Sequence, residues 1–258
     1  MALTSKQISY IEGVIKTSLR GKFLNYKPES NNMPFHYRLL GRDRMALYSF
    51  IQSLNTTFGT SIFEPVAVAL AKLRFKDAQK SAIAGTQISD EAHKVIQTIM
   101  DDLITGRKAP NKTKEIEAIR DVCQKGKMNT VKPTKIDVLV ISQDDSMFLF
   151  DIKTVKPNRG NFKEYKRTLL EWVASGLAQN PAAKINTYLA IPYNPYEPKP
   201  YERWTMKGMI DLDYELKVAN EFWDFLGDEG CYNELLNCFE RVGIELRPEI
   251  DEYFSKFK

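Results

Sequence analysis

Apolar residues change their spacing as the chain proceeds. Through roughly the first half they recur at helical intervals: Ile8, Ile11, Ile15 and Leu19 mark one face, with Gly21 as a stop. Asn25 to Pro34 reads as a polar loop, and a second helix is expected from about Arg42 to Leu54. A turn at Asn55 to Thr60 follows, and Pro65 suits the first turn of a third helix carrying Val66, Leu70 and Leu73. Ser89 can cap a fourth, in which Val95, Ile96, Ile99, Met100 and Leu103 share a face before Gly106. A fifth is expected over Lys114 to Gln124, ending near Gly126.

From Lys135 the pattern becomes that of strands. Lys135–Ser142 and Met147–Lys153 are apolar, β-prone runs on either side of the polar Gln143-Asp-Asp-Ser146, which predicts an antiparallel hairpin. A polar loop, Thr154 to Asn161, leads into a helix striped by Tyr165, Leu169, Leu170, Val173 and Leu177. Asn180-Pro181 ends that helix, and Lys184 to Ile191 is a third strand. Strand, helix, strand implies a crossover between parallel neighbours. A loop rich in proline and tyrosine runs from Pro192 to Arg203, and helices are expected over about Asp213–Leu226, 231–242 and from Pro248 onward. The fold class is therefore α/β: a small mixed sheet wrapped by many helices. With no visible linker, residues 1–258 are expected to form a single domain, with a helical part at 1–130, a core at 131–195 and a helical part at 205–258.

The hairpin carries the chemistry. Asp151 and Lys153 alternate with Ile152, so they point the same way, and folding about the 143–146 turn brings Asp137 alongside Asp151. A lone D-x-K is common in any protein. Here it follows directly on Phe148, Leu149 and Phe150, a run that looks buried, where an ordinary exposed ion pair has no reason to sit. Paired carboxylates at such a place are costly unless compensated, and a divalent metal compensates them. Mg²⁺ takes one or two carboxylates plus further oxygens, so Asp137, Asp151 and the carbonyl of Ile152 are the candidate ligands. Lys153 beside them can orient a water and neutralise charge developing on a phosphate. The set points to metal-assisted hydrolysis of a phosphodiester.

Composition narrows the alternatives. The chain has 258 residues, 43% of them hydrophobic and 27% charged, as in globular proteins with a sizeable core. Its net charge of +4 suits a polyanionic partner without requiring one. His36 and His93 are the only histidines, which argues against His-based zinc chemistry and a His-dependent triad. Cys123, Cys231 and Cys238 form no CxxC pair; the last two fall on one expected helix and read as free thiols in a reducing compartment, the cytoplasm. No run approaches the ~18 apolar residues of a membrane span, and no secretory signal is expected at the N-terminus.

Hairpin, D…D-x-K, helix and parallel strand together resemble the PD-(D/E)XK nuclease superfamily, to which most type II restriction endonucleases belong. Phe150-Asp-Ile-Lys-Thr-Val-Lys-Pro-Asn158 and Gly160-Asn-Phe-Lys-Glu-Tyr-Lys-Arg-Thr-Leu-Leu-Glu-Trp172 resemble the TdeIII/MjaII-type restriction enzymes in particular. One departure is Ile136, where the superfamily pattern has a proline before the first Asp; Pro133 lies further back. The resemblance implies a Mg²⁺-dependent enzyme of a prokaryotic cytoplasm that cuts double-stranded DNA at short G/C-rich palindromes of the GGNCC kind and leaves 5′-phosphates. It also implies a further acidic residue from a helix ahead of the sheet, for which Glu64 is the candidate. Glu64 equally suits any helix start, since the macrodipole favours a carboxylate there.

Cutting both strands of a palindrome needs two sites related by a two-fold axis, so a chain with one site is expected to act as a homodimer. For DNA contacts the candidates are Asn158, Arg159 and Asn161 after the catalytic strand, then Lys163, Lys166 and Arg167 on the polar face of the next helix. Arg203, in the proline-rich loop, is a further candidate. Two other readings remain at this point: a repair or junction nuclease of the same superfamily, and a non-catalytic DNA-binding module with a nuclease-like fold.

Overall fold

Asp144 makes the bend that organises the sheet. Its carboxylate accepts hydrogen bonds from the Ser142 hydroxyl at 2.5 Å and the Ser146 hydroxyl at 2.8 Å, and pairs with Lys184 at 2.9 Å. These donors hold the carboxyl well below the usual carboxylate range, Ser142 first and Lys184 next. Asp145 takes a left-handed conformation at φ 61°, which aspartate tolerates better than most residues. The expected hairpin forms around this turn.

The computed structural model of the chain describes residues 3–26, 33–153, 156–157 and 159–255, the side chains of 54–57, Arg159 and Phe254 excepted. In chain order these give helices α1 (Ser5–Asn25), α2 (Pro34–Leu40), α3 (Arg42–Phe58) and α4 (Glu64–Ala71), then β1 (Asp77–Ile83), β2 (Gln87–Ser89), α5 (Asp90–Ile104) and α6 (Lys112–Arg120). There follow β3 (Met128–Thr130), β4 (Lys135–Ile141), β5 (Met147–Ile152), α7 (Phe162–Gln179), β6 (Ile185–Ile191), β7 (Leu216–Val218), α8 (Asn220–Gly227) and α9 (Cys231–Ser255). No helix among the described residues is long and apolar enough to cross a membrane.

The chain divides into two compact units, residues 1–73 with 223–258, and residues 74–222. In the first, α1 packs along α9 and a row of ion pairs borders the contact: Lys16–Glu245, Arg20–Glu249 and Arg241–Glu12. Pro248, expected to begin a new helix, instead lies inside α9. Proline removes one ladder bond, but Leu235, Val242 and Leu246 are buried along the same helix and keep it continuous. Cys231 and Cys238 are buried free thiols on α9, as expected.

The second unit carries the sheet, in the order β1-β4-β5-β6-β7. β1, β4 and β5 are antiparallel neighbours, whereas β5, β6 and β7 run parallel, so the sheet is mixed and α7 is the predicted crossover. Its buried stripe, Leu169, Leu170, Val173 and Leu177, packs in one core with Leu149 and Ile185. Gly176 lets the helix lie close, because a Cβ there would meet the Ile185 side chain at 2.5 Å. Ser89 caps α5 as expected, accepting from the Ala92 amide and donating to the Val122 carbonyl.

Four strands escape the sequence pattern: β1, β7, and the three-residue β2 and β3, which pair with each other. β1, Asp-Ala-Gln-Lys-Ser-Ala-Ile, is a largely polar edge strand without clear alternation. β7 spans three residues, too few for a period, and lies where a longer helix was expected.

Lys166 fastens α7 from inside. It is fully buried and forms ion pairs with Glu115 at 2.5 Å and Glu215 at 2.6 Å. Beside it the Lys112 ammonium donates to the carbonyls of Thr187 and Tyr214, over the Tyr188 ring. Burial raises the Glu115 carboxyl despite its lysine partner and lowers Lys112 to about 7. Removing one member of a buried ion set costs ~3–5 kcal/mol, because charges are left without compensation. Lys166→Met should therefore destabilise this unit by about that amount at pH 7. Burial already raises the Glu115 carboxyl, and protonating it relieves part of the cost, so the gap to wild type should narrow as pH falls toward 5. Denaturant melts at the two pH values check this; a gap that is small at pH 7, or that widens in acid, contradicts it.

Candidate active site

Asp137 and Asp151 face each other across the ladder. Val138 pairs with Phe150 in antiparallel register, so the next position along sets Asp137 opposite Asp151. The pairing of β1 with β4 skips Ser81, which has φ 58° and lies opposite Asp137 between the Lys80–Val138 and Ala82–Ile136 pairs. The Asp137 carboxylate accepts the Ile152 amide at 2.9 Å and lies 3.8 Å from the Lys135 ammonium. Asp151 is buried and pairs with Lys153 at 2.5 Å. Beyond the end of β5, the Lys153 amide donates to the Ala190 carbonyl and keeps the chain aligned with β6.

Electrostatics set the demand at this point. Burial pushes the Asp151 carboxyl up to about 6, and the neighbouring Asp137 adds to the rise while Lys153 opposes it. For Lys153, burial works to lower the ammonium, but Asp151, Asp137 and Tyr165 outweigh it and the net shift is upward. Two carboxylates under mutual load, one of them buried, form a donor set that fits a divalent cation. Among the described residues no group of three or more His, Cys, Asp or Glu side chains could hold a metal, so a cation here would rely on this pair and backbone or solvent oxygens.

The other expected site residues divide. Glu64 opens α4 in the first unit, where it is buried. Asn158 lies outside the described residues; Arg159 is in a short 3₁₀ turn with Asn161, its side chain likewise outside. Asn161 reaches the Tyr165 hydroxyl at 3.4 Å. Lys163 is exposed, and Arg167 donates to Gln97 at 2.8 Å. Arg203 begins another 3₁₀ turn and pairs with Glu221 at 2.6 Å.

Lys166 is the correction. Expected on a DNA-facing polar surface, it has no exposed area and spends its charge on Glu115 and Glu215. A lysine among polar neighbours looks solvated in sequence, and the two glutamates that bury it are about fifty residues away on either side.

Tyr165, whose spacing puts it on the apolar stripe of the helix, belongs to the site instead. Its ring lies 4.9 Å from the Lys153 ammonium, beneath the group that faces Asp151. The only sequence signal was an aromatic among the first residues of the helix after D-x-K.

The mixed sheet, its crossover helix and the carboxylate pair with lysine at the hairpin end define a restriction-endonuclease-like protein. Comparison with known proteins then gives the family: the model for the type II restriction endonuclease HinfI matches residues 3–243, and the chain belongs to that family. It is 28% identical over 225 residues to the type II restriction enzyme HgiCII of Herpetosiphon aurantiacus, covering 84% of this chain and 80% of that one. To MjaII of Methanocaldococcus jannaschii it is 26% identical over 250 residues, which is 87% of this chain and 65% of that enzyme's length. HgiEI of Herpetosiphon aurantiacus is similar at 26% over 227 residues.

A cation over an aromatic face contributes ~0.5–2 kcal/mol depending on solvent exposure. Tyr165→Leu should thus slow DNA cleavage about tenfold, and Tyr165→Phe, which keeps the ring face, should restore most of the rate. Single-turnover cleavage of plasmid DNA measures both, and equal losses in the two variants would exclude the ring-face role.

Proposed function

We propose that this chain is a Mg²⁺-dependent endonuclease that, as a homodimer, cuts double-stranded DNA at a short G/C-rich palindrome and leaves 5′-phosphates. The observation that carries the reading is Asp137 opposite Asp151, with Lys153 against the latter, on a chain of the HinfI family. The relatives are type II restriction enzymes by name, and the proposed site and products extend the same chemistry to this chain.

Asp137, Asp151 and the carbonyl of Ile152 would hold the metal. Bound there, Mg²⁺ supplies Lewis-acid polarisation of the phosphate and a more acidic water. Lys153 holds the attacking water or a phosphate oxygen by its ammonium hydrogens, and Tyr165 limits where that ammonium can move. Water oxygen bonds to phosphorus and gives up a proton to solvent, the bond to the 3′ oxygen breaks with its electron pair going to that oxygen, and the 3′ oxygen takes a proton from solvent, leaving a 3′-hydroxyl and a 5′-phosphate. Glu64 is proposed as a further carboxylate of the reaction. Asn158, Arg159, Asn161, Lys163, Arg167 and Arg203 are proposed to contact DNA; Lys166 is withdrawn from that set.

Asp137→Ala, Asp151→Ala and Lys153→Ala should each reduce plasmid cleavage in Mg²⁺ by ~10³-fold or more, the loss of several kcal/mol of barrier stabilisation. The two aspartate variants should also lose divalent-metal binding by calorimetry, while Lys153→Ala keeps it. Activity within tenfold of wild type in any of the three rejects the site, and efficient cutting in EDTA rejects the metal. Sequencing the cut ends gives the palindrome and stagger, and sedimentation on the mapped duplex tests the two-fold assembly.

A further inference from the structure

Parallel strands deliver their following loops to the same edge of a sheet. Asp151 lies beside Leu189 and Ile152 beside Ala190, so the chain leaving β5 through Lys153 and the chain leaving β6 after Ile191 emerge together. Their side chains enclose a pocket of about 140 Å³ lined by Lys156, Pro157, Tyr196, Tyr201, Glu202 and Thr205. It lies at the edge of the sheet where the carboxylate pair and Lys153 lie.

The walls of this pocket are built by hydrogen bonds within the second loop. The Tyr196 amide donates to the Asn194 side chain at 3.0 Å, and Asn194 donates to the Lys199 carbonyl at 2.7 Å. The Lys199 amide donates back to the Tyr196 carbonyl at 2.8 Å, and the Thr205 hydroxyl to the Glu202 carbonyl at 2.9 Å. The Tyr196 and Tyr201 rings are 5.9 Å apart, tilted by 56°. Lys156 stands with its ammonium 4.9 Å from the Tyr196 ring centre.

Size and chemistry select the occupant. A cavity of roughly 150 Å³ holds one benzene-sized ring, so this pocket of about 140 Å³ fits a pyrimidine more closely than the larger purine. An aromatic face suits a base of any sequence, and a carboxylate accepts from the amino group of cytosine, which thymine lacks. Tyr201 and Glu202 line the pocket beside that face. The Lys156 ammonium over Tyr196 would give way to a stacked base, since it gains more at the phosphate of the same nucleotide than over a partly exposed ring.

We propose that this pocket takes an unstacked pyrimidine of the bound DNA, cytosine in preference to thymine, with the base on Tyr196, its edge toward Tyr201 and Glu202, and its phosphate on Lys156. The proposal rests on the nuclease reading above and adds a base-extrusion site to it. Extrusion costs stacking and pairing, which contacts in the pocket must offset.

The test is a cycle between protein and DNA. The palindrome is first mapped from the ends cut by wild-type protein, and duplexes are then made with each pyrimidine in turn replaced by an abasic nucleotide. Binding is measured in Ca²⁺, with wild type, Tyr196→Ala, Tyr196→Phe and Lys156→Ala compared by thermal melt beforehand. Tyr196→Ala should weaken the intact duplex about tenfold, leave binding unchanged on the duplex abasic at one particular pyrimidine, and be rescued by Tyr196→Phe. Lys156→Ala should weaken binding and reduce its salt dependence. A tenfold loss that persists on every abasic duplex means that Tyr196 touches backbone only and overturns the pocket, as does unchanged binding by both Tyr196→Ala and Lys156→Ala. If Tyr196→Ala melts early, Lys156→Ala on the same abasic series decides alone, with coupling at one nucleotide as the supporting result and uniform loss as the contrary one. Failure of wild-type protein to cut or bind any DNA would instead remove the nuclease reading on which the pocket depends.

Discussion

Two carboxylates of like charge stand directly across an antiparallel ladder at Asp137 and Asp151, one of them buried, and the second unit is arranged around that repulsion. Left alone, such a pair lowers the stability of the sheet end that holds it. The protein answers with what lies within reach: the Ile152 amide and Lys135 toward Asp137, and Lys153 toward Asp151. At Asp151 the answer is partial, as its raised carboxyl indicates. A fully satisfied pair would have little reason to accept anything more, whereas this one keeps an unmet demand for positive charge where a phosphodiester and its counter-ion would arrive. In that sense the hairpin trades local stability for readiness to bind.

How the sheet achieves this also explains what the amino-acid sequence disclosed. The hairpin, the crossover helix and the parallel strand were legible because each is an apolar run of the proper period closed by a polar turn, and together they define the register that aligns Asp137 with Asp151. β1 was not legible, since an edge strand faces solvent and carries Gln79, Lys80 and Ser81 where a buried strand would carry valine or isoleucine. β7 is shorter than any period can register, and Pro248 was over-read because local chain chemistry says nothing of the packing that keeps a helix going past a lost hydrogen bond.

The same division runs through the site. D-x-K and its upstream aspartate are local features that a strand's alternation can align. Tyr165 and Lys166 are not: adjacent on one helix, one serves the Lys153 ammonium and the other is buried between glutamates contributed from before and after it in the chain. Long-range partners decide whether a lysine meets solvent or an acid, and a polar pattern carries no trace of them.

Adjacency of those two residues has a mechanical consequence. Successive side chains on a helix project about 100° apart, so Lys166 and Tyr165 secure α7 against two different neighbours at almost the same height along its axis. A helix fixed at a single azimuth can roll about the fixed point; one fixed at two cannot roll without breaking an ion pair or lifting a ring. Rotation of α7 is thereby locked, and the wall beneath Lys153 holds its bearing whatever the loops at the edge of the sheet do.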